Sequence, residues 1–337
     1  MRFALSEEQA MFADAVRQLL AGECPPGKVQ AAWEGEVDTH LWRTLADNGI
    51  IGLLAPEDVG GLAMSMVDLV PLLEEAGRAA LPLPLVETAA VGIPLLAASS
   101  VPSAREWLEG AVAGQIVVTA RLGADPLVAA ADIADLILVT EGDRVIGLPR
   151  DAAQLTPRRS VDHTRRMFEI AWDQGVVFAE GAEGTQLAAA AFERGALASA
   201  AVLVGLGSRC LSMAVEYAGI REQFGRKIGT FQAIKHRCAD ALIDLHFARP
   251  LLWRAAWALA HDEPDAALHV SAARAAACDA ADGAARAALQ VHGAIGYTTE
   301  YDLHMWMKRI WALSGSWGDA RWHRRRAATF IFGESDA

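Results

Sequence analysis

The N-terminal third of the chain carries apolar positions at a helical period. Phe3, Leu5, Met11, Phe12, Val16 and Leu19 are apolar, and spacings of four and three along Phe12, Val16 and Leu19 mark the stripe of an amphipathic helix. Ser6 followed by Glu7 and Glu8 marks its start, and Pro25–Pro26–Gly27 ends it. A second helix is predicted near Leu41–Asn48, with Gly49 as its C-terminal cap. The stretch PEDVGG from Pro56 to Gly61 predicts a loop before another helix at Met66–Gly77, and Pro82 and Pro84 break the pattern again.

The period then changes. Gln115–Ala120, Leu136–Thr140, Arg144–Leu148 and Val176–Phe178 are short, rich in β-branched residues and separated by Gly, Asp and Pro, which predicts strands of a small barrel or sandwich. Beyond them the helical pattern returns. A long helix is expected from Leu187 to Arg221, followed by the loop REQFGRKIGTFQ. A second helix carries Phe231, Ile234, Cys238, Ala241, Leu245 and Leu252 on one stripe, with Pro250 inside it to kink it or remove one hydrogen bond. A third, Asp265–His292, is so rich in alanine that it should pack centrally. After the break Val291–Tyr297 a last helix runs to Phe332. The expected fold is mostly α with a small β domain: an N-terminal helical domain (1–113), a middle β barrel or sandwich (114–184) and a C-terminal four-helix bundle (185–337).

Composition narrows the function classes. Hydrophobic residues make up 53% and charged residues 21% of 337, a globular balance. A net charge of −12 repels phosphate backbones and argues against nucleic acid as a partner; an anionic ligand would need locally gathered basic residues. The four cysteines form no C-x-x-C pair, which predicts reduced, packed thiols. The opening residues lack a signal-peptide pattern, and no apolar run reaches membrane-spanning length without a charge, so no membrane association and a cytoplasmic location are expected. His236 and His246 lie ten residues apart on one helix, too far for a shared metal, and no metal site is expected. No Ser/His/Asp nucleophile pattern is evident.

Three segments carry a resemblance. Trp42–Gly61 (WRTLADNGIIGLLAPEDVGG) with Leu73–Arg78 (LEEAGR), Arg221–Gln232 (REQFGRKIGTFQ) and Gln290–Tyr301 (QVHGAIGYTTEY) occur in that order on the helical–β–helical frame. They resemble the signatures of the acyl-CoA dehydrogenase family. The resemblance implies an FAD-dependent oxidoreductase of lipid metabolism that dehydrogenates an acyl-CoA thioester at its α and β carbons. In that family the second and third segments meet across a subunit interface and hold the ADP half of FAD. Carried over by position, Arg221, Gln223, Phe224 and Gln232 act from one side, and Gln290, Gly293 and Ala294 from the other. Ala294 stands where the family has glycine. Arg221 suits a pyrophosphate because its guanidinium is a planar fork of donors, and Gly225 and Gly229 let the backbone approach closely. Thr119 matches the family's flavin-contacting threonine, but the Glu-Pro that follows it is missing from Val118–Asp125 (VTARLGAD), and the Trp-x-Thr-Asn segment is absent.

The catalytic base is the main departure. Removing a weakly acidic α-proton requires a positioned carboxylate. In many members it is the Glu of a Y-E-G-T motif, and counting from Gly296 puts that motif on Ser316–Asp319 (SWGD), with Trp317 in place of Glu. Other members place it in a Glu-Arg pair on the long helix; Glu193–Arg194 resembles that pair but needs a two-residue insertion, since the ungapped position is Gly195. Asp319, two residues beyond Trp317, is the other candidate. Three readings stay open: a subunit of a heteromeric enzyme whose partner supplies the glutamate, as short members of this kind suggest, often for steroid thioesters; a homo-oligomeric enzyme using Glu193; or a non-catalytic CoA-binding or assembly protein on the same fold.

Overall fold

The computed structural model describes residues 3–123 and 126–333; Ala124 and Asp125, at the end of the VTARLGAD stretch, lie outside them. The chain divides into two compact units.

The first unit gathers Met1–Gln30, Val70–Leu81 and Ser199–Ala337. Its first helix, α1 (Glu7–Glu23), opens with a capping box in which Ser6 and Gln9 exchange hydrogen bonds of 3.0 and 3.1 Å. The short α2 (Pro26–Trp33) starts at the second proline, a position where the missing N–H costs nothing. The end of α4 (Met66–Arg78) crosses the unit's share of α7 (Gly181–Ile220) with almost no space between them. A Cβ on Gly77 would lie 2.2 Å from the carbonyl of Val202, and one on Gly205 would lie 1.9 Å from that of Glu74. The glycine of LEEAGR is therefore a packing glycine. α8 (Gln232–Ala260) runs unbroken through Pro250. It pairs with α9 (Ala266–His292), whose buried alanines let neighbouring helices approach closely.

One expectation fails in this unit. The last helix is two: α10 (Leu303–Ser314) and α11 (Ala320–Phe332). Trp317 and Gly318 take left-handed φ angles of 55° and 83°, which no helix can hold, and Asp319 caps the new start by accepting from Trp322 N at 2.7 Å.

The second unit comprises Ala31–Leu69 and Pro82–Ala198. It holds α3 (Thr39–Asp47), a π-helical stretch Val86–Gly92 that continues into α5 (Ile93–Ala98), and α6 (Pro102–Val112). One sheet has the order β1 (Val118–Arg121), β3 (Leu136–Glu141), β4 (Arg144–Pro149), β7 (Val176–Ala179), with β1 parallel to β3 and the other pairs antiparallel. The other sheet is antiparallel, with the order β2 (Leu127–Ala129), β6 (Met167–Trp172), β5 (Ala153–Arg158). Both sheets feed one apolar core, Val128 and Phe168 from one and Ile137, Val139, Ile146 and Leu148 from the other, which makes a sandwich. β2, β5 and β6 escape the sequence reading because β2 is only three residues long and β5 and β6 expose alternate residues. Thr88 donates to Val118 O at 2.6 Å and Ser99 to Phe178 O at 2.8 Å, which pins the helical stretch to the first sheet.

α7 starts at Gly181, six residues before the predicted start. By length and composition it could cross a membrane, but 78% of its apolar window is buried inside the protein, as in a core helix.

Candidate active site

The Arg221–Gln232 segment leaves α7 as a tight hairpin. Arg221 N donates to Tyr217 O at 2.9 Å and Ile228 N to Arg221 O at 2.9 Å. Strands β8 (Glu222–Gln223) and β9 (Arg226–Lys227) flank a two-residue turn, Phe224–Gly225, with φ of 53° and 74°. A left-handed phenylalanine is strained, and this one is 92% exposed. It makes an edge contact with Phe231 at 6.2 Å, and Arg226 stacks over Phe231 at 4.0 Å. Arg221, Gln223 and Gln232 are exposed. Gln223 donates to Glu222 O at 2.8 Å; among the described residues the Arg221 guanidinium makes no hydrogen bond or ion pair.

The third segment begins where α9 stops. Gly293, with φ of 66°, ends the helix and leads into a 3-10 turn, Gly293–Tyr297. Space around Gly293 is open, whereas a Cβ on Gly296 would come 2.9 Å from the Cβ of His292. Gln290, Gly293 and Ala294 are exposed. Within one chain, His292 ties this segment to the last turn of α7: its ring stacks on Tyr217 at 4.5 Å and lies 4.8 Å from Tyr301. His292 Nδ1 lies 2.8 Å from Ala288 O, an acceptor only, so Nδ1 carries the proton. Nε2 is then a lone-pair acceptor, buried and without a partner. Burial lowers the His292 pKa and keeps the ring neutral at pH 7. Exposed guanidinium and amide donors, an open glycine turn and an orphaned acceptor suit a ligand that carries phosphates and hydroxyls.

The Ser316–Asp319 turn is the opposite kind of site. Arg274, fully buried on α9, donates to Leu313 O at 2.7 Å and Ser316 O at 2.6 Å, capping the C-terminal carbonyls of α10 with a cation. His323 is also fully buried. Its Nε2 lies 2.8 Å from Trp317 O and its Nδ1 3.2 Å from Ser271 Oγ. Nε2 therefore donates and Nδ1 accepts from the serine, and burial lowers the His323 pKa to about 4. Trp317 is 7% exposed. The sequence places His323 within an exposed basic stripe with Arg321, Arg324, Arg325 and Arg326; the structure removes it from that stripe. Neither Arg274 nor His323 emerges from the sequence as a holder of this turn. The only signal is a charged residue inside a run of alanines.

The other candidates fall as follows. Glu193 lies on α7, 8% exposed. The Asp319 carboxylate is engaged as the cap of α11. Thr119 is fully buried in β1, and its hydroxyl donates to Ala129 O at 2.6 Å. The four cysteines are free thiols, with Cys238 the least buried, and burial raises Cys210 to about 12. Glu263, Asp265 and His269 gather within 4.8 Å of one another, and the Arg254 guanidinium pairs with both carboxylates.

Comparison with known proteins decides the family. The profile described as acyl-CoA dehydrogenase, C-terminal domain, matches residues 182–331, and that of the N-terminal domain matches residues 6–115. Acyl-CoA dehydrogenase IpdE2 from Mycolicibacterium smegmatis is 33% identical over 97% of this chain and 100% of its own length. The chain belongs to the acyl-CoA dehydrogenase family. The ChsE4-ChsE5 complex from Mycobacterium tuberculosis contains a chain of the same fold, with a TM-score of 0.89, 26% identity and full coverage of both chains. A structure titled as a steroid ACAD, Tcur3481-Tcur3483, reaches a TM-score of 0.88 at 25% identity over 96% of this chain and 98% of that one. Acyl-CoA dehydrogenases are flavin oxidoreductases, and membership assigns this chain that chemistry with FAD as the cofactor. The unengaged donors of the hairpin and the open turn at Gly293 fit such a cofactor.

Proposed function

We propose that this chain is the FAD-holding subunit of a heteromeric acyl-CoA dehydrogenase whose partner subunit supplies the catalytic glutamate. The observation that carries the reading is the Ser316–Asp319 turn. Where the family's base belongs stands Trp317, an indole with no basic lone pair, and Arg274 and His323 engage the backbone on both sides of it. The one neighbouring carboxylate, Asp319, is a helix cap.

In this reading Arg221, Gln223, Phe224 and Gln232 contact the ADP half of FAD from the hairpin, and Gln290, Gly293 and Ala294 contact it from the α9 break. The guanidinium of Arg221 would hold the pyrophosphate of FAD. Gly293 lets the main chain approach, and neutral His292 presents an acceptor beside it. Thr119 reaches a flavin through its main chain, because its hydroxyl is already engaged. Bound FAD supplies the acceptor for the β-hydride of an acyl-CoA thioester. The α-proton goes to the partner's glutamate. Oligomerisation with an acyl-CoA dehydrogenase subunit follows from the missing base, and the cytoplasm is the compartment proposed for the pair. The segments 1–113, 114–184 and 185–337 serve as its working domains.

Glu193 supports a second reading, because its carboxylate on α7 is nearly buried. In that case the chain works as a homo-oligomer, and Glu193→Gln abolishes its activity.

The test is the visible spectrum of the chain purified alone and co-expressed with an adjacent acyl-CoA dehydrogenase subunit, titrated with a panel of acyl-CoAs. The heteromeric reading expects a flavin band that bleaches only when the partner is present. Bleaching of the lone chain, lost in Glu193→Gln, would replace it with the second reading. Absence of flavin from both preparations would overturn both and leave an assembly protein.

A further inference from the structure

Two cavities open on the helical unit formed by residues 1–30, 70–81 and 199–337, and they share Arg78 and Arg249. The smaller, about 430 Å³, is lined by Arg17, Glu74 and Glu75 as well. The larger, about 570 Å³, lies along α7 and α8. Leu211, Val215, Leu242 and Leu245 give it a hydrocarbon wall; Ser208 and the two shared arginines make one polar end, and Glu216, already paired with Arg209, and His246 line it too. Cavities of this size hold small organic ligands.

The polar end is a set of charged pairs that leaves one guanidinium without a hydrogen bond. Arg17 binds Glu75 through two hydrogen bonds of 3.0 Å. Arg249 donates to Glu74 at 2.9 Å and to Ser208 Oγ at 2.9 Å. Arg209 pairs with Glu216 at 3.3 Å. Each carboxylate is thus claimed by an arginine other than Arg78. Arg78 reaches Glu75 only as a 3.6 Å ion pair through Nε, beyond hydrogen-bond length, and its guanidinium donates no hydrogen bond to any described residue. Arg17 also donates to Asp14 at 3.0 Å, so four guanidinium groups meet four carboxylates, and Arg78 is the one of the four that donates a hydrogen bond to none of them. Burial, with the nearby Arg17, Arg209 and Arg249 adding to it, lowers the Arg78 pKa. An anion placed on Arg78 would relieve all of these.

We infer that this cavity is a binding site for an amphipathic carboxylate, its head on the free fork of Arg78 and its hydrocarbon body against Leu211, Val215, Leu242 and Leu245. A guanidinium fork matches a carboxylate bidentately, and the apolar wall selects an anion that carries hydrocarbon over a bare one. The site lies wholly within one unit and does not depend on the flavin reading.

Calorimetric titration of the purified full chain with octanoate and 1-octanol, which share a hydrocarbon body but differ in charge, tests it. Octanoate should bind at least tenfold more tightly than octanol. Arg78→Leu should weaken octanoate at least tenfold and leave octanol unchanged. Because Arg78 also pairs with Glu75, Leu242→Glu is the companion: Leu242 is 44% exposed, so the fold tolerates the change, and the added carboxylate should repel octanoate by a similar factor. The proposal falls if wild type does not bind octanoate, if octanol binds equally well, if inorganic phosphate displaces octanoate at equal concentration, or if both variants bind as wild type does. It also falls if Leu242→Glu changes the oligomer size while octanoate never binds, since the groove is then a subunit interface.

Discussion

The hairpin at Arg221 and the turn at Ser316–Asp319 are both short, irregular segments where the family keeps its chemistry, yet they are built in opposite ways. The hairpin is exposed and its polar side chains are largely unengaged: Phe224 stands in solvent at a strained φ, and the Arg221 guanidinium has no partner among the described residues. The turn buries Ser316 and Trp317, and its groups are engaged. Its carbonyls accept from Arg274 and His323, its aspartate caps a helix, and its tryptophan is packed. Groups left unengaged are available to a ligand, whereas groups already satisfied inside the protein serve the fold. The difference teaches that one segment keeps its groups open to a ligand while the other spends them on the fold.

The contrast can be broken most strongly at Arg274. Arg274→Met leaves two buried carbonyls without their charged donor, a loss of about 1–3 kcal/mol of stability for each. Urea denaturation measures it, and a change below about 1 kcal/mol would mean that the turn holds itself.

His323 offers the next effect. Its pKa is lowered to about 4 from an ordinary 6.5, so the folded protein prefers the neutral ring. The stabilisation is full above pH 6.5 and disappears as pH falls towards 4, because protons then bind the unfolded chain first; a shift of that size is worth up to about 3 kcal/mol. His323→Asn should therefore flatten the fall in stability between pH 6.5 and 4, and an unchanged slope would assign the acid sensitivity elsewhere.

On the hairpin the expectation reverses, with function lost and stability kept. Arg221→Ala should weaken FAD binding about 10- to 100-fold, the worth of a charge-assisted pair, and leave the urea midpoint unmoved. Fluorescence titration of FAD against the assembled protein measures the first. Loss of stability without loss of flavin affinity would make Arg221 a structural residue.

The smallest effect sharpens the comparison most. Phe224→Gly relieves a left-handed phenylalanine and should stabilise the chain by up to about 1 kcal/mol while weakening flavin binding. A gain in stability with unchanged affinity would mean that the strain serves something other than the cofactor.

Some of this was legible in the residues. The helix start at Ser6 with Glu7 and Glu8, the proline breaks at Pro25 and Pro82 and the alanine-rich α9 are local devices, written in adjacent letters. Gly225 and Gly293 announced turns, and the structure gives both positive φ angles. The substitution at Trp317 was visible because a motif has fixed spacing. By contrast, β5 and β6 were hidden because they pair with each other and with β2 rather than following a local pattern. The break between α10 and α11 was missed because Ser-Trp-Gly-Asp sits inside a run of helix-compatible residues, with only Gly315 and Gly318 to signal a stop.

The sequence by itself determined the order of elements, the family and the absence of a glutamate at the expected place, since periodicity, caps and motif spacing are properties of neighbours along the chain. Only the tertiary structure decided that Arg274 and His323 clamp the SWGD turn, that Gly77 exists to let α4 cross α7, and that Arg78 is left without a hydrogen bond. Arg274 meets Ser316 and Gly77 meets Val202 from far along the chain, and burial there, not residue type, sets whether a ring stays neutral or a glycine can be replaced.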